Sequence, residues 1–441
     1  MSSLPTISPS GKQSLDKLLK ETVDRRHVPA VFYGATNAKE EIYFNQYGEK
    51  TFGDESSDQI DPDTTTECFS QTKLITCIAA LQLVDQKVIS LDSTEDVEKY
   101  LPEITELQLL KGYDENDKPI LASPKNKVTL RMLMSHSAGE HRPDLQFSVP
   151  LLIWNIQFKG FTYMVGSNVL SKWHEQNPHP PLFDPKATVK SLCTPFVYEP
   201  GTSWTYSPSI DWVGKLVERV SGLDLEEYFQ KHMFEPCGIT TLTFYPTKEI
   251  KKHKIWICYR DVEGKVQKIP GNFGMNRPSD AKDVPKELLS GGAGLYGTQR
   301  DYLTFLRHLL QCDPNSPHHS TKPLISPESW RELFTPSIPK GEGYDGVDKI
   351  VEMVTKPQYI HPAPTAENVN HSVGFLLTLD DFTEGRKAGS GCWSGAAKTQ
   401  FWIDPRTGIA AICATQLLSP SPDPWYASYV EYERALYAAL K

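Results

Sequence analysis

Leu74, Ile75, Ile78, Ala79, Leu81 and Leu83 recur at the spacing of an α-helix, and residues 68–76 read as its opening turn. Residues 8–26 predict an amphipathic helix with Leu15, Leu18, Leu19 and Val23 on one side. Two strand-like runs, 31–35 and 41–47, then flank Thr-Asn-Ala-Lys-Glu and predict a hairpin. Residues 54–66 are polar, contain Pro62 and read as a loop into the apolar helix, which is expected to end near residue 88. The middle of the chain alternates loops and short helices. Residues 112–127 read as a solvated loop, 128–136 as a short helix capped by Thr129, and 210–220 as a helix stopped at Ser221-Gly222. A further helix is expected over 225–233, and one over 299–311 with Thr298 as its cap. The last third is strand-rich. Residues 371–378 alternate as one strand, 389–395 read as a tight turn, and 399–403 with 409–416 form a hairpin across Asp404–Gly408. An amphipathic helix over 425–440 closes the chain.

This order predicts a mixed α/β (α+β) protein, with one antiparallel sheet flanked by the two terminal helices and a mainly helical lobe. The expected division is a sheet domain from residues 1–66 and 287–441, and a helical domain from 67–286. The active site is expected in the cleft between them. With 441 residues the chain is long enough for a sizeable core.

Composition removes several function classes. The formal net charge of −9 argues against a nucleic-acid binder, which needs a basic footprint. No apolar run spans a bilayer and residues 1–20 lack the apolar core of a signal peptide, so a cytoplasmic protein without membrane attachment is expected. The eight cysteines and twelve histidines show no metal-ligand spacing, and no cofactor is expected. Cys68, Cys77, Cys258, Cys392 and Cys413 sit in apolar surroundings and read as reduced, buried thiols.

Ser70 and Lys73 stand three residues apart and share one helix face. A serine hydroxyl is a poor nucleophile until a neighbour takes its proton, and a buried lysine is suited to that task. The start of a helix adds backbone N–H groups and a partial positive charge suited to an oxyanion. The Ser-x-x-Lys pattern also occurs at Ser14/Lys17 and Ser337/Lys340. Only Ser70 precedes a long apolar helix that draws its lysine inward. Tyr206 falls on a turn-rich loop just before the helix at 210. His136, at a short helix's exit, reads more readily as a histidine holding loop backbone than as a base. Residues 144–212 are unusually aromatic, with Phe147, Trp154 and Trp204 among the candidates for a cleft wall. The glycine-rich run 290–297 lacks the Gly-Lys-Ser/Thr ending of a phosphate loop.

Ser70-x-x-Lys73, the Tyr206 loop, Trp393-Ser394-Gly395 before the last strand pair, residues 130–139 and Asp211-Trp212-x-Gly214-Lys215 together resemble the serine β-lactamase-related superfamily. Within it, the chain is most similar to family VIII carboxylesterases and fungal lovastatin-type transesterases. The resemblance implies a β-lactamase/transpeptidase-like fold. It makes Ser70 the acyl-accepting nucleophile, Lys73 and Tyr206 a coupled proton-handling pair, and the backbone N–H groups of Ser70 and Ala396 the oxyanion hole. Trp393, Ser394 and Gly395 would contact substrate, with Phe147, Trp154 and Trp204. Two departures stand out: Tyr-x-Asn is replaced by Tyr206-Ser207-Pro208, and Lys-Thr-Gly by Trp-Ser-Gly. The missing lysine removes the usual partner of a substrate carboxylate, and Lys398 comes slightly too late to replace it.

The expectation is a serine hydrolase or acyltransferase that passes an acyl group from a bulky hydrophobic ester, such as a polyketide, to water or an alcohol. An acyl carrier protein or other thioester is a further candidate donor, with Lys111, Lys125, Lys127 and Arg131 as its basic patch. A β-lactamase or D-amino-acid peptidase, and a non-catalytic binding protein on the same fold, are the alternatives.

Overall fold

The hairpins expected at opposite ends of the chain are neighbours in space, with Phe32 paired to Ala414 and Tyr33 to Cys413. The computed structural model describes residues 4–140, 168–180, 182, 186–261, 263–269, 288–355, 363–419 and 421–441. Its main sheet has seven antiparallel strands in the order Glu41–Gly48, Ala30–Asn37, Ile409–Ala414, Thr399–Asp404, Ser390–Gly395, Leu376–Thr378 and Val369–His371.

Strand alternation sorts side chains between two cores. Val31, Tyr33, Ala35, Trp402, Ala411 and Cys413 face the terminal helices Pro9–Asp24 and Trp425–Ala439. Tyr33 stacks on Tyr432 at 3.9 Å, and the Tyr432 hydroxyl donates to the Gly34 carbonyl at 3.0 Å. Phe401, Ile403, Ala410 and Ile412 face the other way, into the core shared with the helix Gln299–Leu310 and the helical layer. Thr298 caps that helix by accepting from the Asp301 N–H.

The helical layer is built around Thr72–Asp85, where every residue from Thr72 to Leu81 is buried. It packs against Ser209–Ser221, which in turn carries the short helix Leu130–Met134. The central helix stops at Asp85, short of residue 88, because Lys87 turns into the left-handed region at φ 59°.

Several sequence expectations need correction. Residues 389–395 form a central strand, Ser390–Gly395. A Cβ on Gly391 would stand 1.9 Å from the Phe375 ring, so that glycine serves close packing and not a turn. Residues 371–378 are two strands, because the Ser372 N–H donates to the Phe375 carbonyl at 2.9 Å and the Ser372 hydroxyl accepts from Gly374 N–H at 3.2 Å. The stretch 112–127 contains a hairpin, Leu109–Tyr113 with Pro119–Ala122. The helix from Leu225 is α-helical only to Phe229, and a wider turn, Gln230–Phe234, extends it.

Candidate active site

Ser70 lies in a 3₁₀ turn, Phe69–Gln71, that runs straight into the central helix. Phe69 takes a left-handed φ of 46°, a conformation a residue with a side chain adopts at a cost, and this bend presents the following hydroxyl. Ser70 and Lys73 are both buried. Lys73 Nζ donates to Ser70 Oγ at 3.2 Å and to the Gly292 carbonyl at 2.7 Å.

Tyr206 comes from 136 residues away and meets the same hydroxyl, its oxygen 2.6 Å from Ser70 Oγ. Lys73 Nζ stands 4.7 Å from the centre of the Tyr206 ring. The Tyr206 loop is fastened to the exit of the Leu130–Met134 helix. Thr205 N–H donates to the His136 carbonyl at 3.1 Å, and Ser207 N–H donates to His136 Nδ1 at 3.3 Å. His136 therefore holds loop backbone, with its ring edge-on to Tyr206 at 4.9 Å.

The end of the strand Ser390–Gly395 closes the other side. Gly395 N–H donates to Thr399 Oγ1 at 3.1 Å, and that hydroxyl donates to the Cys68 carbonyl at 3.4 Å. A Cβ at residue 395 would lie 2.4 Å from the same carbonyl, so only glycine lets the strand touch the nucleophile turn. Trp393 is half-buried, with its ring 5.3 Å from Tyr206 and 5.4 Å from His371. Ser394, also half-buried, pairs with Gln400. Burial pushes the His371 imidazole down to about 4, against which its Nδ1–H donates to the Ser372 carbonyl at 2.6 Å. Trp204 is fully buried behind His136 and His371, at 6.1 and 5.9 Å. Phe147 and Trp154 lie outside the described residues.

Sequence reasoning missed three parts of the site. The run dismissed as a phosphate loop forms the wall behind Lys73: Gly291 and Gly292 carbonyls accept from Thr76 Oγ1 and Lys73 Nζ, both at 2.7 Å. Asp211 and Glu140 are fully buried beside it. The available signals were an acid within the apolar run Ile210–Val213, and Glu140 one residue beyond the Ser135–Gly139 exit.

Lys398 Nζ lies 4.7 Å over the Tyr426 ring, and its charge acts on buried Asp423. In the suggested basic patch, Lys127 is paired with Glu98 at 2.6 Å, and Arg131 with Asp92 and Glu332 at 2.7 and 2.6 Å. Among the described residues there is no cluster of three or more metal-ligating side chains, and no helix long and apolar enough to cross a membrane.

The family model described as Beta-lactamase matches residues 15–431. A lovastatin esterase from Penicillium rubens is 27% identical over 92% of this chain and 93% of its own. A monacolin J acid methylbutanoyltransferase from Aspergillus terreus is 26% identical over 96% of this chain and 95% of its own. Among solved structures, a simvastatin synthase mutant from Aspergillus terreus superposes with a TM-score of 0.76 at 25% identity, covering 98% of this chain and 95% of that one.

Proposed function

Because the chain belongs to the Beta-lactamase family, we propose that it is a serine esterase or acyltransferase that carries the acyl group on Ser70. The observation that carries this reading is the convergence of Tyr206 OH at 2.6 Å and Lys73 Nζ at 3.2 Å on one buried serine hydroxyl.

Lys73 donates to Ser70 and to Gly292. In this reaction the Tyr206 oxygen, 2.6 Å from Ser70 Oγ, accepts the Ser70 proton, and the lysine charge stabilises the phenolate form that accepts it. Ser70 Oγ attacks the ester or thioester carbonyl. The carbonyl oxygen takes the negative charge and is stabilised by the backbone N–H groups of Ser70 and Ala396. Collapse expels the alkoxide or thiolate, which takes the proton back from Tyr206, and leaves an acyl-Ser70 ester. An alcohol or water then gives its proton to Tyr206 and attacks that ester; the Ser70 oxygen leaves with the bonding electrons and takes the proton back from Tyr206, which restores the starting state.

The substrate class follows from what faces the site. Trp393 stands where a lysine would meet a substrate carboxylate, and Lys398 is engaged near Asp423. This favours bulky, apolar esters over β-lactams and D-amino-acid peptides. The relatives named for lovastatin and monacolin J acid support a polyketide-type ester. Burial of Ser70, Lys73 and Tyr206 limits water at the acyl-enzyme and favours an alcohol acceptor. A carrier-protein thioester is the less favoured donor, since Lys127 and Arg131 of its proposed patch are already paired. Intact-mass measurement after exposure to a short-chain thioester tests the reading: one acyl group adds to the wild type and none to Ser70→Ala.

A further inference from the structure

Two buried carboxyl groups lie behind the proton-handling pair, and each is joined to one member of it. Asp211 is in the first turn of the helix Ser209–Ser221. Its Oδ1 accepts from Ser290 Oγ at 2.7 Å and from Gly292 N–H at 3.1 Å. The carbonyl of the same Gly292 accepts from Lys73 Nζ at 2.7 Å. A Cβ at residue 292 would lie 2.4 Å from Asp211 Oδ2, so glycine alone brings this backbone against the carboxylate.

Glu140 acts on the other side. Its Oε2 accepts from Ser209 Oγ at 2.9 Å, and the Ser209 and Ser207 hydroxyls are hydrogen-bonded at 2.5 Å. Ser207 directly follows Tyr206 and is tied through its N–H to His136 Nδ1 at 3.3 Å.

These groups are costly where they stand. Both residues have 0% exposure; Asp211 Oδ2 has no hydrogen-bond partner, and besides Ser209 the Glu140 carboxyl meets the Trp212 side chain. Burial pushes the Glu140 carboxyl up to about 8, with the Asp211 charge adding to the effect. Apolar side chains would fill the same space without leaving polar atoms unpaired. What the carboxyls add is directional: the Asp211 chain ends on Lys73 Nζ, and the Glu140 chain ends on Ser207, the residue that follows Tyr206.

We propose that Asp211 and Glu140 are positioning residues, Asp211 setting Lys73 through Gly292 and Glu140 setting Tyr206 through Ser209 and Ser207. The proposal rests on the serine acyl-transfer reading above.

The test is a pair of double-mutant cycles on the full-length protein, read as acylation by a p-nitrophenyl ester. Asp211→Ala and Ser209→Ala should each slow acylation by about tenfold to a hundredfold through misplacement of a reacting group. KM should change by less than about threefold, since substrate binding is untouched. Asp211→Ala should add no loss in a Lys73→Ala background, nor Ser209→Ala in a Tyr206→Phe background. Asp211→Asn keeps the oxygen that accepts from Ser290 and Gly292 and should retain most of the rate. Glu140→Gln keeps an acceptor for Ser209 and should retain the rate, whereas Glu140→Leu should lose as much as Ser209→Ala.

Equal losses in both backgrounds, which general weakening of the fold produces, or full rate in folded Asp211→Ala and Ser209→Ala, would overturn the proposal. If Asp211→Ala fails to fold, Ser290→Ala removes one of the two donors to Asp211 and should show the same dependence on Lys73, while Ser209→Ala tests the Glu140 arm independently. A wild type that forms no Ser70 adduct sinks the reaction itself. A wild type that acylates while the cycles stay additive sinks only the positioning role.

Discussion

Lys73 and Tyr206 meet at one buried hydroxyl, so Lys73→Ala and Tyr206→Phe should each lower the acylation rate by about 10²–10⁴. Stopped-flow with a chromogenic ester measures this, and a near-normal rate in either variant removes that residue from the mechanism. Ser70 and Lys73 were legible because their relation is local: three residues on one helix face fix their approach before any tertiary contact forms. Tyr206 was legible only through family resemblance, since nothing local connects residues 136 positions apart. Asp211 and Glu140 were visible as acids beside apolar residues, but their place behind the reacting pair was not, because a lone acid gives no sign of which face it takes. Glu140 gives a separate prediction. Its carboxyl is raised to about 8 in the folded protein from an ordinary 4.5. Between those values the folded state holds a proton that the unfolded chain has released. Stability from this group is therefore full below pH 4.5 and is lost as pH rises towards 8. Glu140→Gln removes the dependence, so its Tm relative to wild type should rise between pH 5 and pH 8.5. A difference that stays flat contradicts the assignment.

The terminal helices, the helix capped by Thr298 and the hairpin ending in Ala414 follow directly from apolar periodicity and local stop signals. The strand Ser390–Gly395 did not, because its glycines carry the signature of a turn. Their actual cause is tertiary: Gly391 makes room for the Phe375 ring and Gly395 for the Cys68 carbonyl. The two strands around Ser372 were merged for the converse reason, since alternation runs unbroken through a turn closed by a side-chain hydroxyl. The close contact at Gly395 gives a prediction about this element. Gly395→Ala would place a methyl 2.2 Å from Thr399 Oγ1 and 2.4 Å from the Cys68 carbonyl. The strand must then move off the nucleophile turn, at about 1–3 kcal/mol in stability. Acylation should fall by more than that destabilisation explains, because Ala396 N–H moves with the strand. Denaturant melts beside acylation rates check this, and a folded variant with unchanged rate contradicts it.

Joining a hairpin from each end of the chain into one sheet is a whole-molecule event, legible in the order of the elements and not in any one of them. Its consequence is that the last strands reach the start of the central helix, bringing Trp393 and Gly395 to Ser70 and Tyr206. Substrate preference belongs to this scale as well. The proposed substrate class rests on Trp393 lining the site beside Tyr206, and on Lys398 lying over Tyr426 with its charge acting on Asp423. Neutral aromatic or acyl esters should therefore be turned over while nitrocefin is not. Nitrocefin hydrolysis at a rate comparable to the esters would restore the β-lactamase reading.

The central claim is that Ser70 becomes acylated with Tyr206 and Lys73 handling its proton. The measurement closest to it is intact-mass spectrometry of the wild type, Ser70→Ala and Tyr206→Phe after brief exposure to a short-chain acyl thioester, with peptide mapping of any adduct. The account predicts a single acyl group on Ser70 in the wild type, none in Ser70→Ala, and strongly delayed addition in Tyr206→Phe. An adduct on another residue, or equal labelling of Ser70→Ala, would contradict it.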